Sequence, residues 1–200
     1  MLYCLQRREW GPIYKACQTE QSARRQREME EGLLCAMLER RYEDITVSDL
    51  CARMGVPRKS FYRYFDSKED ALHALVDHAL LDYEGYVPAG QTAVAPSFEK
   101  ELERYFIYWQ SKKPLLDALA RSGLSTVLME RSLAQAQRDL PSLQVFMPCA
   151  SEEEQEQIMM FATGGMMTLM IRWHHMGCRI APEHMAHTAA QLLSRPLFEG

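Results

Sequence analysis

The chain has 200 residues, a globular composition and a formal net charge of −4 at pH 7. This length allows one large domain or two small ones. The net negative charge excludes a protein that coats nucleic acid with its whole surface. The charge is uneven, because residues 1–70 hold 13 basic and 12 acidic side chains whereas residues 71–200 hold 10 and 15. We therefore expect that, at most, the N-terminal part contacts a polyanion.

Neither the cysteines nor the apolar segments indicate secretion or a membrane. The six cysteines are scattered and form no C-x-x-C pair, as is typical of reduced thiols inside the cell. The longest apolar run, residues 158–171, is shorter than the roughly 20 residues of a membrane span. The N-terminus is too polar for a signal peptide. We predict a cytoplasmic protein that does not enter the membrane.

Apolar residues recur at helical spacing along the chain, and strand signals are almost absent. This pattern predicts an all-α fold of about nine helices. They are expected at 22–41, 47–54, just after Pro57, and at 67–83, 97–110, 114–121, 124–140, 151–177 and 182–194. Gly, Pro and small residues between 85 and 96 indicate a loop. We therefore predict an N-terminal extension over 1–21, a first domain over 22–84 and a second domain over 85–200.

Residues 46 to 72 read TVSDLCARMGVPRKSFYRYFDSKEDAL, which predicts two short helices joined by a turn. Thr46 is a suitable N-cap with Asp49 in the capping-box position, and Gly55 supplies the turn. This layout is typical of a helix-turn-helix DNA reader. Five basic and two acidic residues lie between positions 46 and 68, which suits a phosphate backbone. The weaker alternative is an ordinary helical hairpin with solvated charges.

The same stretch resembles the DNA-binding domain of the TetR family of bacterial regulators. The positions that follow the family pattern include Thr46, Val47, Gly55, Val56, Ser60, Tyr62, Tyr64, Phe65, Ser67, Lys68 and Glu69. Mild departures occur at Leu50, Cys51, Met54 and Pro57. The variant R-x-x-F-Y-R-Y-F is similar to the subgroup that includes regulators of dihydroxyacetone kinase operons. The resemblance implies an N-terminal three-helix DNA-binding domain, a connecting fourth helix, and a C-terminal helical bundle for ligand binding and dimerisation.

The candidate DNA-binding residues lie on the second helix of the motif and at its borders. Arg58 is expected to bond a guanine, because a guanidinium can reach O6 and N7 together. The resemblance implies that Tyr62 and Tyr64 contact phosphates and thymine methyls, and that Lys68 anchors a phosphate. The full set is Thr46, Ser48, Arg58, Lys59, Ser60, Tyr62, Arg63, Tyr64 and Lys68. The expected partner is double-stranded DNA with a palindromic operator, since two readers of a dimer face two half-sites.

The predicted eighth helix is apolar nearly all round between residues 158 and 171, which indicates burial on more than one side. Gly164 and Gly165 would permit close approach of a second helix. We therefore predict a two-fold homodimer built on the last two helices. The interface candidates are Ala162, Gly165, Leu169, Trp173 and Met176. The alternative is a central helix of one monomeric bundle.

The resemblance also implies an effector pocket among the C-terminal helices. Candidate lining residues are Tyr105, Trp109, Met129, Phe146, Met166, Met170 and Trp173. Each of them also fits an ordinary core position, because apolar residues at helical spacing are the usual core pattern. An apolar pocket favours a small, hydrophobic or aromatic effector. No cofactor motif is recognised, and none is predicted.

Taken together, the sequence predicts a DNA-binding transcriptional regulator, most simply a repressor that a small-molecule effector releases, and not an enzyme. One alternative is an effector-free protein on DNA that recruits a protein partner, as an activator or division regulator. A more remote alternative is a metal sensor or enzyme that uses the group His174, His175, Cys178, His184 and His187. That group lacks the fixed spacings of zinc sites, so no metal site is predicted.

Overall fold

The structure is a computed structural model that describes residues 14, 15, 17, 19–88, 97–143 and 151–194. Across these residues the chain forms nine α-helices and no strand, which confirms the predicted all-α fold. The helices are α1 Glu20–Glu39, α2 Val47–Met54, α3 Arg58–Phe61, α4 Lys68–Glu84, α5 Phe98–Ser111, α6 Lys113–Arg121, α7 Ser125–Leu143, α8 Glu152–His175 and α9 Pro182–Ser194. A short 3₁₀ turn, Tyr42–Asp44, lies between α1 and α2.

The chain divides into two compact units, Met1–Asp77 and His78–Gly200. The division falls inside α4, seven residues before the end of that helix at Glu84. The domain boundary predicted after residue 84 stays a prediction. Most of the extension predicted over residues 1–21 lies outside the described residues.

The first unit is built on an apolar core between α1, α2, α3 and the first half of α4. Each of these helices places at least one side chain there with less than 2% of its surface exposed, including Leu33, Met37, Leu50, Phe61, Phe65, Leu72 and Val76. Helices α1 and α2 approach closely at Gly32, where an added Cβ would lie 2.5 Å from Met54 Sδ. A larger residue at position 32 would therefore displace the Met54 side chain.

Helix α1 begins at Glu20, two residues earlier than predicted, because Thr19 caps it. The Thr19 side chain accepts a hydrogen bond from the Ser22 backbone N–H, and the Ser22 side chain accepts one from the Thr19 N–H. Such a reciprocal pair satisfies two backbone donors that the helix start leaves open. The first residue of the predicted helix, Ser22, is therefore the third residue of α1.

In the second unit, α5 packs against α9 and α7 packs against α8. Aromatic side chains fill much of the space between these helices. The Phe106 and Trp173 rings meet edge to face with centroids 5.4 Å apart, and both side chains are at most 2% exposed. Helix α7 continues through Pro141 to Leu143, although a loop was predicted from Pro141. A proline in the last turn removes one backbone donor, so it does not force the helix to end there.

Helix α8 begins as predicted, with Ser151 and Glu154 forming a reciprocal cap. It ends at His175, where Gly177 adopts φ 77° and the Cys178 N–H donates to the Trp173 carbonyl. A left-handed glycine of this kind satisfies the last carbonyls of a helix. No helix in the described ranges has both the length and the apolar character that crossing a membrane requires.

Candidate nucleic-acid interface and ligand cavity

The start and end of α2 are fixed by local hydrogen bonds. The Thr46 side chain accepts from the Asp49 N–H at 3.1 Å, and Asp49 Oδ2 accepts from the Thr46 N–H at 3.0 Å. At the other end Gly55 adopts φ 65°, and the Val56 N–H donates to the Cys51 carbonyl at 3.0 Å. A left-handed residue is strained for any side chain with a Cβ, so Gly55 sets the turn between α2 and α3.

Helix α3 is a single turn with two opposite faces. Phe61 within it and Phe65 just after it are 0% exposed, and their ring centroids lie 5.3 Å apart. The predicted DNA-binding residues Arg58, Lys59 and Arg63 are exposed. The two phenylalanines therefore anchor a turn whose other face presents three positive charges to solvent, as a surface that binds phosphates requires.

Arg58 is restrained by Tyr62, one helical turn later. Arg58 Nη2 lies 3.4 Å from Tyr62 Oη, and its guanidinium carbon lies 5.9 Å from the centre of the Tyr62 ring. The hydrogen bond to Tyr62 also raises the pKa of Arg58. Tyr62 itself is 40% exposed. The predicted pair Arg58 and Tyr62 thus forms one connected group on the exposed face.

Tyr64 and Lys68 have less accessible positions than the sequence suggested. The Tyr64 side chain is 9% exposed and belongs to the core of the first unit. Lys68 Nζ donates to the Tyr42 and Ile45 carbonyls at 2.6 Å each, and it lies 4.0 Å from the centre of the Tyr42 ring. Burial lowers the pKa of Lys68. Lys68 therefore ties α4 to the segment between α1 and α2, and the DNA contacts predicted for both residues stay predictions that this placement does not favour.

The remaining predicted residues lie at the two helix starts. Ser48 is exposed and Ser60 is partly exposed. Thr46 is exposed as well, but its N–H and its hydroxyl both donate to Asp49 Oδ2, at 3.0 and 2.8 Å. The two Thr46 donors that were expected to meet a phosphate are therefore occupied by the cap.

Lys15 contacts the end of the helix-turn-helix and was not anticipated from the sequence. Its N–H donates to the Tyr64 carbonyl at 3.2 Å, and its Nζ donates to the Tyr62 carbonyl at 2.9 Å. The same ammonium lies 2.6 Å from Asp66 Oδ1. These contacts bridge some fifty positions of sequence, so no local pattern could have revealed them.

The second unit contains a cavity of about 410 Å³ between α4, α5, α7 and α8. Of the predicted effector residues, it brings together Tyr105 and Trp109. Its walls are Leu80, Tyr83, Glu84, Tyr105, Trp109, Ser132, Gln135, Ala136, Met159, Thr163 and Met167. The predicted residues Met129, Met166, Met170 and Trp173 do not line this cavity, and Phe146 lies outside the described residues. Only Tyr105 and Trp109 of these walls were among the predicted residues; the lining residues on α4, α7 and α8 were not.

Two polar groups of the cavity walls are buried without a hydrogen-bond partner in the described part of the chain, namely Trp109 Nε1 and Gln135 Oε1. The Gln135 amide nitrogen donates to Glu84 Oε1 at 3.0 Å. The Tyr105 hydroxyl lies 3.8 Å from Met167 Sδ. Burial raises the pKa of Tyr105 well above its ordinary value, so this hydroxyl is uncharged.

The predicted interface residues on α8 fall into two groups. Gly165 and Met176 are exposed, whereas Ala162 and Leu169 are partly buried. Trp173 is 2% exposed, and its indole N–H donates to the Ile180 carbonyl at 2.9 Å. Its position in the core contradicts the prediction that it lies in an interface, since α8 is apolar on several faces and spacing alone does not tell which face turns inward.

Two exposed apolar residues of α8 were not predicted as interface residues. Phe161 is 69% exposed and Ile158 is 47% exposed. An added Cβ at Gly165 would meet no atom within 4 Å. The exposed side of α8 therefore carries Ile158 and Phe161 next to the open Gly165, and Thr168 and Arg172 follow toward its C-terminal end.

The histidines of the C-terminal half take part in separate contacts. His174 is 8% exposed, and its Nε2 lies 2.8 Å from Asp117 Oδ1. His187 Nδ1 lies 3.0 Å from Glu99 Oε1, and its Nε2 lies 2.8 Å from the Gln191 amide. Over the described residues, no three His, Cys, Asp or Glu side chains gather as a potential metal site.

Comparison with known proteins links these observations to one family. Residues 36–75 match the family model "Bacterial regulatory proteins, tetR family", which covers the end of α1, the helix-turn-helix and the start of α4. A comparison with curated proteins gave no significant match.

Three solved structures share the fold, each at 16% sequence identity. A tetR-family transcriptional regulator from Streptomyces coelicolor aligns over 86% of this chain and 79% of its own, with a TM-score of 0.59. The fatty acid degradation regulator FadR from Bacillus halodurans aligns over 86% and 96%, with a TM-score of 0.61. The dihydroxyacetone kinase operon activator DhaS aligns over 84% and 93%, with a TM-score of 0.58.

These structures share the helical architecture beyond the segment that the family model covers. Within that segment lie the capped α2, the left-handed turn at Gly55 and the exposed basic face of α3. This segment of the chain is therefore similar to the tetR family of bacterial regulatory proteins, and the chain as a whole shares the helical fold of the three solved structures.

Proposed function

We propose that this protein is a homodimeric, sequence-specific transcriptional repressor that leaves its operator when a small molecule occupies the cavity of the second unit. The observation that carries the proposal is the face of α3. Arg58, Lys59 and Arg63 are exposed there, on a turn that Phe61 and Phe65 anchor in the core. Such a rigid, basic turn is suited to enter the major groove.

In this proposal, Arg58 reads a guanine and its neighbours bind the backbone. A guanidinium can bond O6 and N7 of guanine at once, and Tyr62 restrains it near the start of α3. Lys59 and Arg63 supply charge for phosphates on either side. Ser48 and Ser60 are placed at the starts of α2 and α3, where backbone N–H groups also favour a phosphate.

A second copy of the chain is the proposed partner of the exposed apolar side of α8. Ile158, Phe161 and Met176 expose between 47% and 69% of their surface, and Leu192 on α9 exposes 45%. Large exposed apolar side chains on neighbouring segments of the chain favour an interaction surface. A two-fold dimer on α8 and α9 would cover them and would present two copies of α3 to a palindrome.

The effector part of the proposal rests on α4. Leu80, Tyr83 and Glu84 of this helix line the cavity. The same helix begins at Lys68, which bonds the Tyr42 and Ile45 carbonyls in the first unit. A ligand that moves the end of α4 would therefore change the spacing of the two recognition turns in the dimer. By reciprocity, that ligand binds the free dimer more tightly than the dimer on DNA.

The operator half of the proposal is tested by selecting bound duplexes from a random DNA library with the purified full-length chain. We expect a palindrome whose half-sites are separated by about one helical turn, roughly 34 Å. The Arg58→Ala variant should lose preference at one base pair of each half-site. Enrichment of sequences without two-fold symmetry, or no enrichment at all, would contradict the proposal.

The dimer is tested with Gly165→Leu, because an added Cβ at this position meets no atom of the protomer within 4 Å. We expect this variant to keep its helical content and to sediment as a monomer with weakened operator binding. If the dimer forms with unchanged stability, Gly165 does not lie in the interface. A reporter gene placed behind the selected operator shows whether the protein represses or activates transcription. Higher expression with the protein present would identify an activator.

A further inference from the structure

We propose that Lys15 is a positioning residue for DNA recognition, which fastens the segment before α1 to the end of α3 and so fixes how the exposed basic residues around α3 meet DNA. These residues are Arg58, Lys59 and Arg63. The inference rests on the proposed function, because it concerns how the same residues recognise an operator. It adds to the DNA-reading part of the protein a residue that lies well before the helix-turn-helix in the chain.

Helix α3 is too short to fix its own orientation. It spans only Arg58–Phe61, and a single helical turn is unstable by itself because forming it fixes several residues for very few hydrogen bonds. Gly55 sets the turn before α3, and the buried Phe61 and Phe65 hold its inner face. Because α3 ends at Phe61, the carbonyls that follow need partners from another part of the protein.

Lys15 supplies partners for two of these carbonyls. Its backbone N–H donates to the Tyr64 carbonyl at 3.2 Å, and its Nζ donates to the Tyr62 carbonyl at 2.9 Å. Tyr62 is the C-cap residue of α3, so the side-chain bond acts directly at the end of the helix. A lysine near a helix C-terminus can satisfy the last carbonyls in this way. Lys15 therefore holds α3 from the end opposite to Gly55.

The segment that carries Lys15 is itself tied to α1. Cys17 Sγ donates to Gln26 Oε1 at 2.9 Å, and Gln26 is 3% exposed. Thr19 then caps the start of α1. These two ties lie two and four positions after Lys15, so the lysine has little freedom to follow a shift of α3. A displacement of α3 relative to α1 would therefore break the hydrogen bonds of Lys15.

The charges around Lys15 favour a positioning role over a direct phosphate contact. Its ammonium lies 2.6 Å from Asp66 Oδ1 and also bonds the Tyr62 carbonyl, so two of its three N–H donors are occupied. Asp66 is the only acidic residue between positions 50 and 68 of the sequence. It lies three positions after Arg63, where an unpaired carboxylate would repel a phosphate backbone. Lys15 therefore also neutralises the one acidic group in this part of the motif.

Binding to two duplexes tests this role on the purified full-length protein. One duplex carries the selected operator, and the other is a scrambled sequence of the same length and composition. Lys15→Met keeps an unbranched stem but removes the ammonium, and adding Asp66→Asn restores the net charge of the wild type. We expect this double variant to bind the operator about tenfold more weakly, which is about threefold for each half-site from one lost hydrogen bond. Its affinity for the scrambled duplex should change by less than about twofold.

Two variants control for charge and for side-chain chemistry. Arg41→Met removes one positive charge from an exposed ion pair with Glu43, in which the two charged groups lie 2.6 Å apart. It lies outside the helix-turn-helix, so the ratio of operator to scrambled affinity should stay within about twofold of the wild type. Lys15→Arg retains a cation and N–H donors, so it should keep most of the operator affinity that Lys15→Met loses.

Hydrogen exchange tests the contact of Lys15 with α3 in the absence of DNA. The N–H groups of Tyr64 and Phe65 both donate to the Phe61 carbonyl, at 3.0 and 3.1 Å. In the double variant these two amides should exchange at least about threefold faster, because the end of α3 opens more often. The Leu50 amide within α2 should exchange as it does in the wild type.

The outcomes separate the role of Lys15 from the proposed function. Equal losses on both duplexes in the double variant, with a shallower salt dependence, would make Lys15 a phosphate contact and overturn the proposal. Unchanged operator affinity, unchanged exchange of the two amides, or an equal effect of Arg41→Met overturns it as well. If the wild type prefers no DNA sequence, the proposed function fails, and the exchange rates alone then decide whether Lys15 holds α3.

Discussion

The two units of this protein differ in what they expose to water. Among the described residues, ten large hydrophobic side chains are exposed, and nine of them belong to the second unit. The exception is Tyr62, which lies beside Arg58 on the recognition turn. The first unit instead exposes Arg58, Lys59 and Arg63 around that turn. Charged side chains suit a hydrated polyanion, and exposed apolar ones suit a partner that excludes water, so this difference agrees with the different partners proposed for the two units.

The largest expected effect is a loss of self-association when a charged residue replaces an exposed apolar one in the second unit. Phe161→Lys places an ammonium in the proposed dimer interface, and desolvating it should weaken self-association at least about 30-fold. The fold should be retained, because Phe161 is 69% exposed. Sedimentation across a concentration series measures the change. Leu81→Lys is the control, since Leu81 is a comparably exposed residue on α4. Equal effects of the two substitutions would remove α8 from the interface.

A substitution at the exposed basic residues around α3 is expected to have a smaller effect, and it should change DNA binding alone. Arg58→Ala should cost about 1–3 kcal/mol of operator affinity and relax the preference at one base pair, because a bidentate guanine contact is lost. Arg53→Ala is the control, since Arg53 is bonded to Glu39 at 2.6 Å and plays no part in the proposed readout. Titrations against the operator and its single-base variants measure both the loss of affinity and the change in base preference. A uniform loss over all sequences would make Arg58 a phosphate contact.

A substitution at Lys68 tests whether every cation of the helix-turn-helix segment contacts DNA. Lys68→Met keeps most of the stem and removes the two hydrogen bonds to the Tyr42 and Ile45 carbonyls. The free energy of unfolding should fall by about 1.5 kcal/mol, as expected for charged hydrogen bonds. Chemical denaturation measures this, and Arg58→Ala should leave the same quantity unchanged. If Lys68→Met unfolds with the same free energy as the wild type but binds DNA poorly, Lys68 is a phosphate contact.

The smallest expected effect is that the free energy of unfolding depends on pH through Asp49, near the start of α2. Hydrogen bonds from the Thr46 side chain and backbone hold the pKa of Asp49 below its ordinary value of 3.8. The folded protein therefore takes up this proton less readily than the unfolded chain. The stabilisation is complete above the unfolded value and is lost as the pH falls through the folded-state pKa.

Denaturation of Asp49→Asn at several pH values measures this contribution. The wild type should be more stable at neutral pH, and the difference should shrink on acidification. In a Thr46→Ala background the Asp49→Asn substitution should lose part of its effect, because the hydroxyl donor to the carboxylate is gone while the backbone N–H donor remains. A difference that grows as the pH falls would contradict the assignment.

Features that depend on neighbouring residues were predictable from the sequence. The caps at Thr46 and Ser151 each involve a side chain three positions away, and the left-handed turn at Gly55 needs one residue that lacks a Cβ. The helix-turn-helix was recognisable because its order of caps, turn and basic face lies within about 25 residues. The helical fold followed from spacing alone.

Features that depend on distant residues were not predictable. Lys68 bonds carbonyls that lie 26 and 23 positions earlier, and these contacts were not visible when the resemblance suggested a phosphate anchor. The cavity takes its walls from four helices, and the apolar spacing of α8 does not separate Met167, which lines it, from Trp173, which does not. Which apolar residue faces which neighbour is decided by packing, and periodicity gives only the set of candidates.

The division of labour on the recognition turn has an evolutionary consequence. Phe61 and Phe65 hold the turn in the core, whereas Arg58, Lys59 and Arg63 contribute exposed side chains. Substitutions at the three exposed positions are therefore nearly neutral for folding. New operator preferences can arise there one residue at a time, because no compensating substitution is needed to restore stability. A regulator duplicated in a genome could acquire a new set of target genes through these few codons.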